Sequence, residues 1–221
     1  MSTTDGRSKG RYHHGDLHRA LVEAGTRLAR DGGPDAVVLR EATRQVGVSA
    51  NAAYRHFADR DALLGAVVTA GLAEMARTME AELATVRARD PRARARARLR
   101  AVGTGYLRFA TAEPGLFRAT FLVPSDLSRA RSPDGRGDTG RTPFELLSDA
   151  LDELVDAGVV SAGQRPGAEL LAWSAVHGLA VLAVNGPLRA LAPEVLETTT
   201  DRLLSMVDAG LGSRSGPSAG S

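Results

Sequence analysis

The sequence has no cysteine, and aromatic residues make up only 4% of its 221 residues. Without cysteine the chain cannot form disulfides, thiolate metal sites or a thiol nucleophile, and it suits a reducing compartment. Residues 1–16 are polar throughout, so they lack the basic-then-apolar pattern of a secretory signal sequence. The composition therefore favours a cytoplasmic protein.

One long stretch without charge, residues 170–188, raises the question of a membrane span. It contains His177, Asn185 and Pro187, and polar and helix-breaking residues of this kind are unfavourable in a lipid-facing helix. We therefore expect a buried helix at this position and no membrane role.

The two signs of charge are nearly balanced, because 28 basic residues face 26 acidic ones. The distribution is uneven. Residues 1–60 carry 10 basic against 7 acidic residues and four of the five histidines, whereas residues 61–221 carry 18 against 19. The basic N-terminal quarter indicates where contact with phosphate groups is to be expected.

Helical spacing dominates the apolar pattern, and no run alternates as a strand would. The chain is therefore predicted to be all-α, with about nine helices. Segment 113–115 is predicted to be a turn, and residues 123–142, rich in Pro, Gly, Ser and Arg, a mobile loop. The first three predicted helices follow Asp16 and cover 39–46 and 49–57. The later ones follow Asp59, run from Pro91 to about 110, cover 144–157 and 166–184, and begin at Pro193.

Residues 39–57 have the layout of a helix-turn-helix, with a short helix, a turn containing Gly47 and a second short helix. The first turn of that second helix is small and polar, which suits a major groove about 12 Å wide. Asn51 can pair with an adenine edge, and Tyr54 and His56 can reach phosphate oxygens. On spacing alone, an ordinary helical hairpin is an equally good interpretation.

Around this unit, Gly47-Val48-Ser49 is followed by Tyr54-Arg55-His56-Phe57 and then by Asp59-Arg60-Asp61-Ala62-Leu63-Leu64. These motifs resemble those of the TetR/AcrR transcriptional repressors. The opening Tyr12-His13-His14-Gly15-Asp16-Leu17 and the later Trp173-Ser174-Ala175-Val176-His177-Gly178 are similar to one subgroup of that family. The DNA-binding resemblance covers about residues 12–64, and the C-terminal one is looser.

The resemblance implies a sequence-specific DNA-binding regulator, a repressor that a small molecule releases from a palindromic operator. It implies a homodimer paired through the last two long helices. The expected organisation is a flexible arm (1–11), a three-helix DNA-binding domain (12–62), a ligand-binding and dimerisation domain (63–211) and a disordered tail (212–221). The alternative is a helical ligand-binding protein or enzyme in which the helix-turn-helix is only structural.

The same resemblance assigns site residues. Tyr54, His56 and Arg60 would hold phosphates, and Arg40 and Arg44, one turn apart on the preceding helix, could add phosphate contacts. Ser49 caps the second helix of the helix-turn-helix, which we call the reading helix. Val38 departs from the family pattern, because a Ser or Thr usually caps the second helix there and Val cannot. The residues expected to face bases or nearby backbone are Ala50, Asn51, Ala52 and Arg55.

The candidates for a ligand cavity are the scarce aromatic residues of the second domain and one histidine. His177 lies in a run without charges, so it needs a partner or a polar space. Each aromatic residue alone is more often core packing, as we expect for Phe57. The candidate residues are Phe109, Phe117, Phe121, Trp173 and His177.

Other chemistry has little support in the sequence. His13, His14 and His18 do not form a closed metal-ligand set, and no Gly-rich phosphate loop, nucleophile elbow or zinc-protease helix is present. We therefore expect no metal, no cofactor and no enzymatic activity. Arginines occur at 87, 89, 92, 94, 96, 98 and 100. Steps of two surround a helix, so we expect a solvated surface there.

Overall fold

A computed structural model describes residues 14–122 and 134–212 of the chain. Within these ranges the chain forms nine α-helices and short 3-10 turns, with no residue in a strand, so the predicted all-α fold is confirmed. The helices are α1 (His14–Gly32), α2 (Leu39–Val46), α3 (Ala50–Tyr54), α4 (Arg60–Leu83), α5 (Pro91–Ala112), α6 (Pro114–Phe121), α7 (Pro143–Asp156), α8 (Ala168–Asn185) and α9 (Pro193–Gly212).

Helix α1 buries the apolar stripe that its sequence predicts, from Leu17 to Leu28. It begins at His14, however, so the prediction that Asp16 is its N-cap is wrong. Asp16 lies instead in the first turn, where its negative charge interacts favourably with the helix dipole. The predicted arm (1–11) and most of the predicted tail lie outside the described residues.

Helices α2 and α3 form the predicted helix-turn-helix. Ser49 caps α3, because its hydroxyl oxygen accepts a 3.3 Å hydrogen bond from the amide of Ala52. The helix ends at Tyr54, earlier than predicted, and residues 55 and 56 continue as a turn. This turn brings Phe57 into the core, where its ring stacks on His18 with centroids 4.8 Å apart. The prediction that Phe57 is a core anchor is confirmed.

The long helices α4 and α5 form the centre of the molecule. The Asp59 carboxylate caps α4 as predicted, and it accepts a 2.8 Å hydrogen bond from the amide of Ala62. The two helices approach closely at Gly105, where an added Cβ would lie 2.6 Å from Cα of Met79. A single hydrophobic core runs from the first three helices into the rest of the fold.

The arginine run is solvated only in part: Arg87, Arg89, Arg92 and Arg94 are exposed, as their spacing predicts, whereas Arg96, Arg98 and Arg100 are half-buried in ion pairs. Arg92 donates to the carbonyls of Ala157 and Gly158, at 3.2 and 2.6 Å, and so covers the C-terminal end of α7. Arg98 pairs with Glu153 of α7. Two more, Arg96 and Arg100, pair with acidic residues of α9. The run thus fastens α5 to two neighbouring helices.

The segment before α7 is tied to α4. The Glu80 carboxylate accepts hydrogen bonds from the amides of Asp138 (2.8 Å) and Thr139 (3.0 Å) and from the Thr139 hydroxyl (2.6 Å). Thr142 and Glu145 form a capping box at the start of α7. The first part of the predicted mobile loop, residues 123–133, lies outside the described residues, so its mobility stays a prediction.

Helix α8 is only partly buried within the chain, whereas the sequence predicted a buried helix. Leu170, Leu171 and Leu182 are exposed, and Leu171 retains 68% of its accessible surface. The opposite face, which includes Ala172 and Val176, packs into the core. Beyond Glu169 the helix carries no charge, so its exposed apolar face is not covered within the chain.

The uncapped start of α2 leads to a stability prediction. Val38 is 43% exposed and makes no side-chain hydrogen bond to the first turn of α2. We expect Val38→Ser to raise the free energy of unfolding by roughly 0.5–2 kcal/mol, because serine supplies the missing acceptor. Urea denaturation measures the change. Ser49→Ala, which removes an existing cap, is the opposite control and should lower stability; a loss of stability in both variants would contradict the capping account.

Candidate functional site

The outer face of α3 is the first part of the candidate site. Ala50, Asn51, Tyr54 and Arg55 are exposed, while Ala53 is buried against the other helices. Tyr54 retains 57% of its accessible surface. Ala52 is half-buried at the edge of this face. The arrangement leaves small and polar side chains pointing away from the core on a short helix, as a major-groove contact requires.

Two of the expected phosphate-binding arginines already have partners in the chain. Arg44 forms a forked ion pair with Glu41, with N–O distances of 2.5 to 3.2 Å. The hydrogen bond from Arg44 lowers the pKa of Glu41, and the same bond raises the pKa of Arg44. Arg60 donates to the carbonyl oxygen of Pro34 at 2.6 Å and so ties the start of α4 to the turn after α1. Arg40 is exposed on α2.

A pair of histidines lies next to this face. The rings of His18 and His56 meet edge to face with centroids 6.1 Å apart, and His18 is exposed. The sequence had placed His18 only within a weak metal motif. Among residues 14–122 and 134–212 no three metal-binding side chains come together.

The second part of the candidate site is a cavity enclosed by α4, α5, α6, α7, α8 and α9. Its volume is about 50 Å³ and its walls are almost wholly apolar. Phe121 and Trp173 line it, as the sequence predicted. Phe109 and Phe117, also predicted, are instead fully buried core residues that are not part of the lining.

His177 is also not a lining residue, although its ring contacts Tyr106, Phe121 and Trp173, which are. The Tyr106 hydroxyl and Nδ1 of His177 are 2.7 Å apart and share a hydrogen bond. Burial raises the pKa of Tyr106 above its ordinary value and lowers the pKa of His177 below its own. Both groups are thus held neutral. Tyr106, which sequence reasoning missed, replaces His177 as a polar group of the wall.

Helix α6 connects the cavity with the first three helices. At its C-terminal end Phe121 lines the cavity. At its other end an added Cβ on Gly115 would lie 2.2 Å from the carbonyl oxygen of Arg30 and 2.4 Å from that of Ala29. Helix α6, for which the sequence predicted only the turn at 113–115, thus packs directly on the last turn of α1.

An ion-pair network reinforces this junction. The Arg30 guanidinium on α1 donates to both carboxylate oxygens of Glu74 on α4, at 2.7 and 2.6 Å. Its Nε donates to Glu113, the residue before α6, at 2.9 Å. One side chain of α1 therefore holds both α4 and the start of α6 in register.

The neutral state of His177 leads to a prediction about pH. Above about pH 6.5, the ordinary histidine pKa, the imidazole is neutral in both the folded and the unfolded chain. As the pH falls below that value, the unfolded chain takes up a proton that the folded site resists, so stability falls. We expect the free energy of unfolding of His177→Gln to fall less steeply between pH 7.5 and pH 5 than that of the parent protein. The difference in slope should correspond to the uptake of about one proton on unfolding.

Urea unfolding at several pH values measures this slope, and His18→Gln serves as the control for losing a histidine at an exposed position. Identical slopes for the parent and His177→Gln would show that the site does not resist protonation.

Two family profiles match the chain. Residues 21–67 match the profile of bacterial regulatory proteins of the tetR family, and residues 99–207 match the tetracyclin repressor-like C-terminal domain. Together they span well over half of the chain and include α3 and most of the cavity lining. No protein of curated function matches the chain.

Solved structures show the same fold. A protein of unknown function from Rhodococcus sp. RHA1 is 28% identical, with a TM-score of 0.67 over 93% of this chain and 100% of that one. A TetR-family transcriptional regulator from Pectobacterium atrosepticum is 21% identical, with a TM-score of 0.54 over 92% and 94%. The TetR-family regulator PfmR from Thermus thermophilus is 20% identical, with a TM-score of 0.52 over 84% and 97%.

The two profile matches, the exposed reading helix and the helical second domain lead to one conclusion: the chain belongs to the TetR family of transcriptional regulators, with its DNA-binding domain at the N-terminal end.

Proposed function

We propose that this regulator is a cytoplasmic homodimeric repressor that leaves a palindromic operator when a small molecule enters the cavity. The observation that carries the proposal is the position of α6. One end of this eight-residue helix lines the cavity, and the other packs tightly on α1 of the DNA-binding domain. A wall displacement at Phe121 is therefore passed to the helices that carry α3.

The roles on DNA divide into reading and clamping. Ala50 and Asn51 face outward on α3, with Ala52 half-buried at the edge, so an amide can pair with adenine and methyl groups can meet thymine. Tyr54 and Arg55 follow on the same exposed side, and Arg40 extends it to α2. Arg44 would share its charge between Glu41 and a phosphate. Arg60 would act mainly by fixing the start of α4, since its guanidinium is engaged with Pro34.

Helices α8 and α9 supply the surface for a second copy. The exposed side of α8 includes Leu171 and Leu182 at helical spacing, and that of α9 includes Val195 and Met206. These side chains lie on the last two long helices, and a partner that presents the same two helices would cover them. Dimerisation also places two copies of α3 on one DNA molecule.

The apolar helices favour this interpretation over a membrane role. Helices α4 and α8 are long and apolar enough to cross a membrane by length and composition alone, with mean hydropathies of 1.2 and 1.4. Half of the apolar stretch of α4 is buried inside the chain, and so is a third of the apolar stretch of α8. The exposed part of α8 is the part that we assign to the dimer, which fits a protein in the cytoplasm.

The experiment that tests the proposed function is selection of bound oligonucleotides by the purified protein. We expect an inverted repeat with half-sites about one helical turn apart or somewhat more, because one reading helix comes from each protomer. A reporter placed behind the selected site should fall in expression when the protein is present. A direct repeat, an unpatterned site or an unaffected reporter would contradict the proposal.

Reading and clamping residues should behave differently when they are changed. We expect Asn51→Ala to weaken operator binding by about 1–3 kcal/mol and to relax the preference at one base pair per half-site. Tyr54→Phe should weaken binding to all sequences similarly, because it removes only a phosphate hydrogen bond. Titration of both variants against a panel of operator mutants measures the pattern, and a uniform loss for Asn51→Ala would remove it from the base-reading set.

The dimer surface is tested by a charge on α8. We expect Leu171→Glu to shift the protein to a monomer, because two carboxylates would be buried at a symmetric contact. Val38→Glu changes an exposed apolar residue on a different surface and is the matched control. Sedimentation equilibrium measures the mass, and a Leu171→Glu protein that remains as dimeric as the control would place the interface elsewhere.

A further inference from the structure

We propose that the effector of this protein is an elongated apolar molecule with an anionic head, and that Arg100 binds the head. The inference rests on the proposed function, since it takes the cavity to be the effector site. It concerns the chemical class of the molecule, which is determined by the charges and shape of the wall.

The wall carries one charge. Its residues are aliphatic or aromatic apart from Tyr106 and Arg100, and Arg100 is the only ionisable side chain besides the phenol. Among the described residues no carboxylate lines the cavity. A cationic ligand would therefore lose its hydration without gaining a counter-charge, which is strongly unfavourable in an apolar space. An anion instead finds a counter-charge at the edge of the cavity, where the Arg100 guanidinium bonds Ser205 of α9.

The present partners of Arg100 hold it weakly. Its guanidinium donates a 2.7 Å hydrogen bond to the Ser205 hydroxyl and lies 3.5 Å from a carboxylate oxygen of Asp201. The Asp201 side chain is 67% exposed, so water screens that pair. A ligand carboxylate on the cavity side would be shielded from water and could accept two parallel N–H bonds. The exchange from Asp201 to a ligand is therefore favourable.

Tyr106, the other polar residue of the wall, does not need a polar ligand group. Tyr106 lies six residues after Arg100 on α5, which corresponds to about 9 Å along the helix. Its hydroxyl is already bonded to His177. A molecule that places its head at Arg100 thus has an apolar tail of roughly that length in the remainder of the cavity, next to Trp173 and Phe121.

The size of the cavity gives such a molecule an effect on the fold. A volume of about 50 Å³ is far below the roughly 300 Å³ of a typical ligand site. The tail must therefore push the walls apart, and Phe121 on α6 is one of them. The same binding event that satisfies Arg100 would displace the helix that packs on α1.

The test compares three probes with the same eight-carbon chain and different heads: octanoate, octanol and octylammonium. Emission of Trp173, the single tryptophan of the chain, reports binding at the cavity wall. Each probe is titrated into the full-length protein and into Arg100→Gln, Arg100→Lys and Arg96→Gln. Arg96 is the matched control, because it lies one turn before Arg100 and also pairs with α9 but does not line the cavity.

We expect octanoate to bind more tightly than octanol, and octylammonium to bind least. Arg100→Gln should weaken octanoate by about tenfold or more, the value of a charge-assisted hydrogen bond, and leave octanol unchanged. Arg100→Lys should retain part of the preference, since it keeps the charge but loses the fork. Arg96→Gln should bind all three probes as the parent protein does.

Equal binding of octanoate and octanol, tighter binding of octylammonium, or an equal loss of octanoate in Arg96→Gln would each overturn the assignment. Binding of none of the probes would overturn it as well. Operator affinity measured without any probe separates these results from a failure of the proposed function, because DNA binding does not depend on the head group. Thermal unfolding confirms that each variant is folded before it is titrated.

Discussion

The close contact between α6 and the last turn of α1 joins the cavity to the DNA-binding helices. Gly115 lies so close to the carbonyl oxygens of Ala29 and Arg30 that no side chain fits between the two helices. Arg30 adds two carboxylate partners, one on α4 and one just before α6. Packed interiors do not deform smoothly, so a displacement of α6 has to move α1 or break this junction.

Helix α5 organises the other side of the molecule. Its arginines hold the end of α7 and two acidic residues of α9, while its apolar face forms the back wall of the cavity. Arg100 belongs to both sets, since it lines the cavity and also contacts α9. The cavity therefore borders two structures at once: α6, which leads to the DNA-binding helices, and α9, which belongs to the proposed dimer surface.

Much of the fold could be predicted from local signals in the sequence. Apolar spacing at three and four residues predicts the helices, and Ser49, Asp59 and Pro193 mark starts that the structure confirms. Local patterns failed where the outcome depends on distant partners. The pairing of the α5 arginines depends on acidic residues more than fifty positions away, and no periodicity contains that information.

The candidate site also has one part that local sequence determines and another that depends on distant residues. The exposed face of α3 is a property of one short helix and its cap, and the sequence predicted its residues. The cavity is a property of six helices, so the prediction identified the right aromatic types but could not tell Phe121 in the wall from Phe117 behind it. His177 was chosen because a histidine in an apolar run needs a partner, and the partner, Tyr106, is 71 residues away and takes its place in the wall.

We propose that filling the cavity moves the two copies of α3 in a dimer relative to each other. Because the chain has no cysteine, Gln45→Cys places one thiol per protomer on the exposed surface of α2. The measurement is the distance between spin labels on these thiols, by pulsed electron paramagnetic resonance, with and without octanoate at a concentration that saturates the Trp173 emission change. The account predicts a shifted distance distribution in the saturated protein. An unchanged distribution at full occupancy would contradict it.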